Sequence, residues 1–124
     1  MNKHPKFVEI VKEVLKLKGL KWLRYTSPYP TYYSRELLQL HQKESKLCPH
    51  IHMPMQSGSD AVLKRMFRGY NVKDARRFID EIRALKRDIS ITTDIIVGFP
   101  SETEGDFQKT LDLVKYGRFD MIYI

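Results

Sequence analysis

Small polar residues cluster in three short segments of the sequence: Thr26-Ser27-Pro28, Gln56-Ser57-Gly58-Ser59-Asp60 and Gly98-Phe99-Pro100-Ser101-Glu102. Each segment follows an apolar or aromatic run that is typical of a β-strand. In parallel α/β folds, ligands bind at the carboxyl ends of the strands, where small side chains and backbone N–H groups hold polar groups. The same residue types also form ordinary turns and helix caps, and spacing alone favours that simpler interpretation.

Asp94 lies inside the most apolar run of the chain, ITTDIIV at residues 91–97, which predicts a strand buried on both faces. A carboxylate in such a strand costs several kcal/mol unless it is paired or hydrogen-bonded. We therefore expect Asp94 either to face a polar interior or a ligand, or to form a buried ion pair, for example with Arg24. Asp120, at the start of the last predicted strand, is expected to be structural.

His50 and His52 lie two residues apart and share one face of a short predicted strand, a spacing that two zinc ligands can use. No third ligand stands at an interpretable distance, so hydrogen-bonded structural histidines are the favoured interpretation. Cys48 is the single cysteine, and one thiolate alone cannot hold a zinc ion or an iron–sulfur cluster. We therefore assign no metal ligand to this sequence.

The composition is that of one soluble globular domain, with 124 residues, 42% apolar and 30% charged. The 22 Lys and Arg exceed the 15 Asp and Glu by seven, and ten basic and four acidic residues within positions 1–50 account for +6 of this excess. A surface with this excess of positive charge suits a polyanion such as RNA. A basic surface with no binding role would have the same composition. The sequence has no secretory signal and no membrane span, which predicts a cytoplasmic location.

Apolar periodicity predicts an α/β fold in which four strands alternate with helices. The strands are predicted at residues 21–26, 51–55, 89–97 and 119–124. Ser34, Asn71 and either Thr103 or Ser101 are the predicted N-caps of three of the helices. This order implies a parallel sheet, and four strands cannot close a (βα) barrel. We therefore expect part of a larger barrel, with open strand edges through which the chain could self-associate.

Three longer motifs occur in order along the chain: YTSPYP at residues 25–30, LCPHIHMPMQSGSDAVLKRMFRGY at 47–70 and ITTDIIVGFPSETEGDF at 91–107. Together they resemble the radical S-adenosylmethionine (SAM) methylthiotransferases over nearly the whole chain. The TSP-x-P turn and QSGSD resemble the MiaB-type branch, which acts on tRNA. The ribosomal-protein branch usually shows QHxSD, and the threonylcarbamoyladenosine branch usually shows SSxEP after the first of these strands.

The resemblance implies that residues 1–124 are the C-terminal part of a partial (βα)6 TIM-like radical SAM barrel. In the family, this barrel lies between an N-terminal methylthiotransferase domain and a C-terminal TRAM domain that binds RNA. The implied reaction uses SAM and two [4Fe–4S] clusters to add a methylthio group to C2 of N6-isopentenyladenosine, next to the anticodon of tRNA. The cluster ligands, including a CxxxCxxC loop, are absent from this sequence. We therefore expect the chain alone to be inactive and assign it no catalytic residue.

The resemblance also implies a SAM pocket. Gln56 and Ser57 are expected to hydrogen-bond the ribose. Gly98 is expected to let the adenine approach closely, and Asp94 is expected to contact polar atoms of the ligand. Backbone groups from Ile122 onward are expected to bind the adenine edge.

Three further residues complete the predicted site. Arg68 is the candidate for the SAM carboxylate, since a guanidinium matches its geometry. Thr26 and Ser27 are expected to line the substrate side. Two other functions stay open: a non-catalytic truncated module that binds RNA or protein, and part of a ribosomal-protein or threonylcarbamoyladenosine methylthiotransferase.

Overall fold

A computed structural model of the chain describes residues 6–26 and 33–124. Within these residues, five helices and three strands follow one another along the chain. They are α1 (Phe7–Leu15), α2 (Arg35–Lys43), β1 (His50–His52), α3 (Asp60–Arg65), α4 (Val72–Arg83), β2 (Ser90–Asp94), α5 (Glu104–Gly117) and β3 (Met121–Tyr123). None of the helices in the described residues is long and apolar enough to span a membrane.

The three strands form one parallel sheet in the order β1-β2-β3. His52 pairs with Thr92, and Thr92 pairs in turn with Met121, so β2 is the central strand. Helices α3 and α4 connect β1 to β2, and α5 connects β2 to β3. The predicted α/β class, with a parallel sheet and alternating helices, is confirmed.

The strand predicted at residues 21–26 is reduced to a single parallel bridge between Leu23 and Leu47, so the described residues contain three strands rather than four. The reason lies in the partner segment. The backbone N–H of His50 donates to the carbonyl of Cys48 at 2.8 Å. This tight turn uses the backbone groups that a longer ladder would need.

The predicted strand at residues 89–97 is also shorter, since β2 ends at Asp94. Ile96 and Val97 are 40% and 50% exposed, so the expected burial of the whole ITTDIIV run on both faces is wrong beyond Ile95. Ile95 and Ile96 still donate their N–H groups to the carbonyls of Tyr123 and Gln56, and Ile95 forms an isolated parallel bridge with Gln56. The run therefore leaves the sheet only after Ile96.

The helices begin where side-chain chemistry predicts. Ser34, Asn71 and Thr103 accept the N–H groups of Leu37, Asp74 and Asp106, and each is the N-cap of its helix. The apolar stripes of the helices pack on one face of the sheet and form a single core. Its fully buried side chains include Leu37, Leu47, Ile51, Met53, Met55, Leu63, Ile79, Ile82, Ile91 and Leu113.

The backbone reverses just after α3. Phe67, two residues beyond the end of this helix, is 93% exposed and has a positive φ of 55°. The N–H groups of Phe67 and Arg68 donate to the carbonyls of Lys64 and Leu63, which is the hydrogen-bond pattern of a Schellman motif. The chain therefore reverses at a non-glycine residue, and the phenyl ring points into solvent.

Candidate functional site

The sheet has two chemically different faces. Ile51 and Ile91 are register partners on the face that packs against the helices. The opposite face carries polar side chains and borders a cavity of about 580 Å³. The residues that line it are Arg24, Thr26, His50, His52, Ser90, Thr92, Asp94, Asp120, Met121 and Tyr123. This polar face lies opposite the helices, on the side of the sheet that corresponds to the interior of a barrel.

A chain of hydrogen bonds runs across the polar face. The hydroxyl oxygen of Thr92 lies 2.9 Å from Nε2 of His50 and 2.8 Å from Nδ1 of His52. Nε2 of His52 lies 3.2 Å from Oδ2 of Asp94. Both histidines are thus hydrogen-bonded as the structural interpretation of the pair favoured. Their shared partner, Thr92, had not been singled out in the sequence.

Asp94 faces the cavity, which is the first of the two alternatives considered for it. Its side chain is 35% exposed, and its hydrogen-bond partner is His52 rather than Arg24. Arg24 lines the same cavity, but no ion pair joins it to Asp94 in the part of the chain that the structure describes. Asp120 is structural, since its carboxylate accepts the N–H of Ile91 at 2.7 Å.

The electrostatics of the cavity keep His50 neutral near pH 7. Burial lowers the pKa of His50 below its ordinary value, and the positive charge of Arg24 lowers it further. A neutral imidazole has one donor and one acceptor nitrogen. His50 therefore has a single ring N–H to donate in this series of hydrogen bonds.

The turn after β1 brings Gln56 to the end of β2. Gln56 has a positive φ of 66°, its N–H donates to the carbonyl of Asp94, and its own carbonyl accepts the N–H of Ile96. These two bonds hold residues 56 and 94–96 side by side at the carboxyl edge of the sheet. Two of the predicted SAM-pocket residues, Gln56 and Asp94, are therefore neighbours.

The side chain of Ser57 contacts α5 rather than the end of β2. It is fully buried, and its hydroxyl lies 3.3 Å from that of Thr110 on α5 and accepts the N–H of Ser59. The N–H of Gly58 donates to the same Thr110 hydroxyl at 2.9 Å. The side chain of Ser57 thus fixes the turn to α5, and its proposed contact with a ribose stays a prediction.

A second network anchors the turn through Asp106 on α5. Oδ1 of Asp106 accepts the hydroxyl of Ser59 at 2.6 Å, and Oδ2 accepts the hydroxyl of Thr103 at 2.9 Å. These two hydrogen bonds hold the pKa of Asp106 far below its usual range. Sequence reasoning missed this residue. Its only local signal was its position three residues after the N-cap Thr103.

The remaining predicted residues lie around this edge at different depths. Gly98 is exposed, with a φ of 75°, and its N–H donates to the carboxylate of Glu102 at 2.6 Å. Ile122 pairs with Thr93, so its side chain lies on the helix-covered face and only its backbone can reach a ligand.

Arg68 follows α3 and does not line the cavity. Its Nε is buried and has no hydrogen-bond partner among residues 6–26 and 33–124. Thr26 lines the cavity, and its place on the substrate side stays a prediction. Ser27, predicted beside it, lies outside the described residues.

Comparison with known proteins places this geometry in context. The sequence profile of the radical SAM superfamily matches residues 2–114. A curated relative from Corynebacterium glutamicum, named tRNA-2-methylthio-N(6)-dimethylallyladenosine synthase, is 46% identical over 117 residues, which cover 94% of this chain and 22% of the relative. Relatives with the same name from Syntrophus aciditrophicus and Cereibacter sphaeroides are 43% and 45% identical, over 94% and 86% of this chain and 25% and 24% of their own length. The chain thus spans about a quarter of the length of these relatives.

Proposed function

We propose that this chain, which belongs to the radical SAM superfamily, forms part of the SAM pocket of a tRNA methylthiotransferase. The whole protein would add a methylthio group to C2 of N6-isopentenyladenosine next to the anticodon. The names of the relatives, at 43–46% identity, support this reaction. The observation that carries the proposal is the polar sheet edge where Gln56, after β1, lies beside Asp94, the last residue of β2, with Gly98 four residues further on.

The hydrogen-bond acceptors at this edge fit the chemistry of SAM. The ribose hydroxyls and the ammonium group of SAM are hydrogen-bond donors, and the Asp94 carboxylate and the Gln56 amide oxygen can accept them. Ile96 and Val97, left exposed beyond β2, offer an apolar surface to a purine ring. Gly98 adds no side chain to that surface. SAM, when bound beside a reduced cluster, supplies the radical that activates a C–H bond.

Three further residues have secondary roles in this proposal. The Nε of Arg68, which has no hydrogen-bond partner among residues 6–26 and 33–124, is a donor that suits a carboxylate. The backbone from Ile122 onward belongs to a strand that pairs on one side only among the described residues, so its outer groups can bind a base edge. Ser57 supports Gln56 by fixing the turn to α5 through Thr110.

We place residues 1–124 within the radical SAM core of a cytoplasmic protein whose substrate is tRNA. The ligands of two [4Fe–4S] clusters, the N-terminal methylthiotransferase domain and the TRAM domain are assigned to other parts of the whole protein. The described residues contain no group of three or more His, Cys, Asp or Glu side chains arranged to hold a metal ion. On this proposal the isolated chain binds SAM-like ligands but performs no methylthiolation.

The proposal is tested by titrating the ¹⁵N-labelled chain with S-adenosylhomocysteine and following the backbone amide signals. We expect the amides of Gln56, Asp94, Gly98 and residues 122–124 to shift together. The Gly98→Ala variant should weaken binding, whereas Gly19→Ala should not. Gly19 is a matched control because both glycines have a positive φ and open space where a Cβ would stand. Equal loss of binding in the two variants, or shifts scattered over the helices, would contradict the proposed pocket.

A further inference from the structure

The hydrogen-bond chain on the polar face has Thr92 at its centre. Thr92 lies on the central strand, is 7% exposed, and its single hydroxyl oxygen contacts both histidine rings. A threonine hydroxyl has one proton to donate and two lone pairs to accept. The hydroxyl can therefore either accept an N–H from both rings, or donate to one ring and accept from the other.

The Asp94 carboxylate, at the end of this series of hydrogen bonds, determines which nitrogen atoms donate and which accept. An ionised Asp94 only accepts hydrogen bonds, so Nε2 of His52 must carry a proton. In a neutral ring this leaves Nδ1 of His52 as an acceptor, and the hydroxyl of Thr92 donates to it. The oxygen of Thr92 then accepts the Nε2–H of His50. The four residues thus form one directed series of donors that ends at Oδ2 of Asp94.

The surroundings hold His52 in this position. The hydroxyl of Tyr33 donates to the His52 backbone carbonyl at 2.6 Å, and the ring of Tyr123 meets the imidazole edge-on at 5.9 Å between centroids. The imidazole is about nine-tenths buried, whereas the Asp94 side chain is 35% exposed. The donor to Asp94 is therefore fixed inside the protein, and the acceptor is presented to the cavity.

One oxygen of Asp94 remains available. Oδ2 accepts from His52, and within residues 6–26 and 33–124 no protein donor is bonded to Oδ1. We propose that Thr92 and His52 are positioning residues, which hold the Asp94 carboxylate so that Oδ1 accepts an N–H or O–H donor of the ligand in the cavity. This inference rests on the proposed function, because it adds residues to the same pocket.

The first part of the test measures the tautomers directly. Nitrogen chemical shifts of the two imidazoles are recorded on the ¹⁵N-histidine-labelled chain at pH 8, where an ordinary histidine is neutral. We expect the proton of both His50 and His52 on Nε2. The Thr92→Val variant should keep the His52 proton on Nε2, because Asp94 still accepts it, but should shift the Nδ1 signal of His52, which loses its hydrogen-bond donor. Ser90→Ala, which removes another hydroxyl from the same cavity, should leave both His52 nitrogen signals unchanged. A His52 proton on Nδ1, or an unchanged His52 signal in Thr92→Val, would overturn the proposal.

The second part adds S-adenosylhomocysteine and, separately, adenosine, and follows the ¹³C signal of the Asp94 carboxylate. A shift with both ligands identifies a ribose or adenine donor, and a shift with S-adenosylhomocysteine alone identifies the ammonium group. We expect Thr92→Val and His52→Ala to weaken binding several-fold, with partial rescue in His52→Gln, whose amide can still donate to Asp94. If the Gln56 and Gly98 amides respond but the Asp94 carboxylate does not, this inference fails while the SAM pocket survives. If none of these signals responds, both fail.

Discussion

Gly58 lies so close to Lys109 that a Cβ at position 58 would stand 2.3 Å from the Lys109 backbone carbonyl oxygen. The Cα of Thr110 would be 2.6 Å away. Both neighbours belong to the backbone of α5, which cannot move aside as a flexible side chain could. The turn that presents Gln56 is therefore fixed by a contact that only glycine permits.

The Gly58→Ala variant should be destabilised by roughly 3 kcal/mol or more, because the added methyl group overpacks a rigid contact. Urea unfolding followed by circular dichroism measures this change. Gly105→Ala is the matched control in α5, where a Cβ meets nothing closer than 3.8 Å. Alanine there should stabilise the chain by about 0.5–1 kcal/mol through its higher helix propensity. Equal effects of the two variants would show that the close approach of the turn to α5 is not required.

Asp106 should make the chain sensitive to acid below pH 4. Hydrogen bonds from Ser59 and Thr103 lower its pKa in the folded state, so the stability they contribute is present above the unfolded pKa of about 3.9 and is lost as the pH falls below it. Asp106→Asn should be less stable at pH 6 and should lose less stability between pH 4 and pH 2. Asp112→Asn, on the exposed side of the same helix, is the control and should keep the acid dependence of the parent chain.

His41 should produce a separate loss of stability at higher pH. It is fully buried in α2, its Nε2 lies 2.5 Å from the Tyr25 hydroxyl, and burial lowers its pKa to about 4. The unfolded histidine titrates near 6.5, so stability is full above that pH and falls by at most about 3 kcal/mol as the pH drops from 6.5 to 4.

The His41→Gln variant isolates this contribution, because glutamine does not titrate and its amide can still bond to Tyr25. We expect its urea midpoint to be nearly flat between pH 7 and pH 4.5, apart from the smaller contribution of His50. A slope equal to that of the parent chain would mean that His41 is protonated in the folded state.

The edge strand β3 should cause weak self-association. It pairs only with β2 among the described residues, and it is followed by Ile124, which is 91% exposed. An unpaired apolar edge is a template for another chain. Sedimentation equilibrium should show an apparent mass that rises with concentration and falls in Ile124→Lys. Phe67→Lys removes an equally exposed apolar side chain, at 93%, far from the edge in sequence, and should have no effect. A mass that does not vary with concentration would contradict this expectation.

The parts of the fold that local chemistry determines could be predicted from the sequence. The N-caps Ser34, Asn71 and Thr103 need only their own next few residues, and all three cap helices. The polar environment of Asp94 also followed from its position in an apolar strand.

Features that depend on distant partners could not be predicted. The hydroxyl of Thr110 is 53 residues from Ser57, and Thr92 is 40 residues from His52, so no local pattern joins either pair. The positive φ of Phe67 also lacks a local signal, because a bulky residue rarely adopts the left-handed region. The candidate site thus contains residues that the local sequence identifies, such as Asp94. They are held in place by residues that no local sequence pattern identifies, such as Thr92 and Thr110.

The order β1-β2-β3 of the strands in the sheet is the order in which a ribosome produces them. Each strand, as it emerges, finds its pairing edge already made by the strand before it, and none has to be inserted between two others. Folding during synthesis begins with the N-terminal part of a chain. The polar face with Thr92 at its centre can therefore begin to assemble as soon as β2 is synthesised. The edge of β2 opposite β1 stays unpaired until β3 is synthesised.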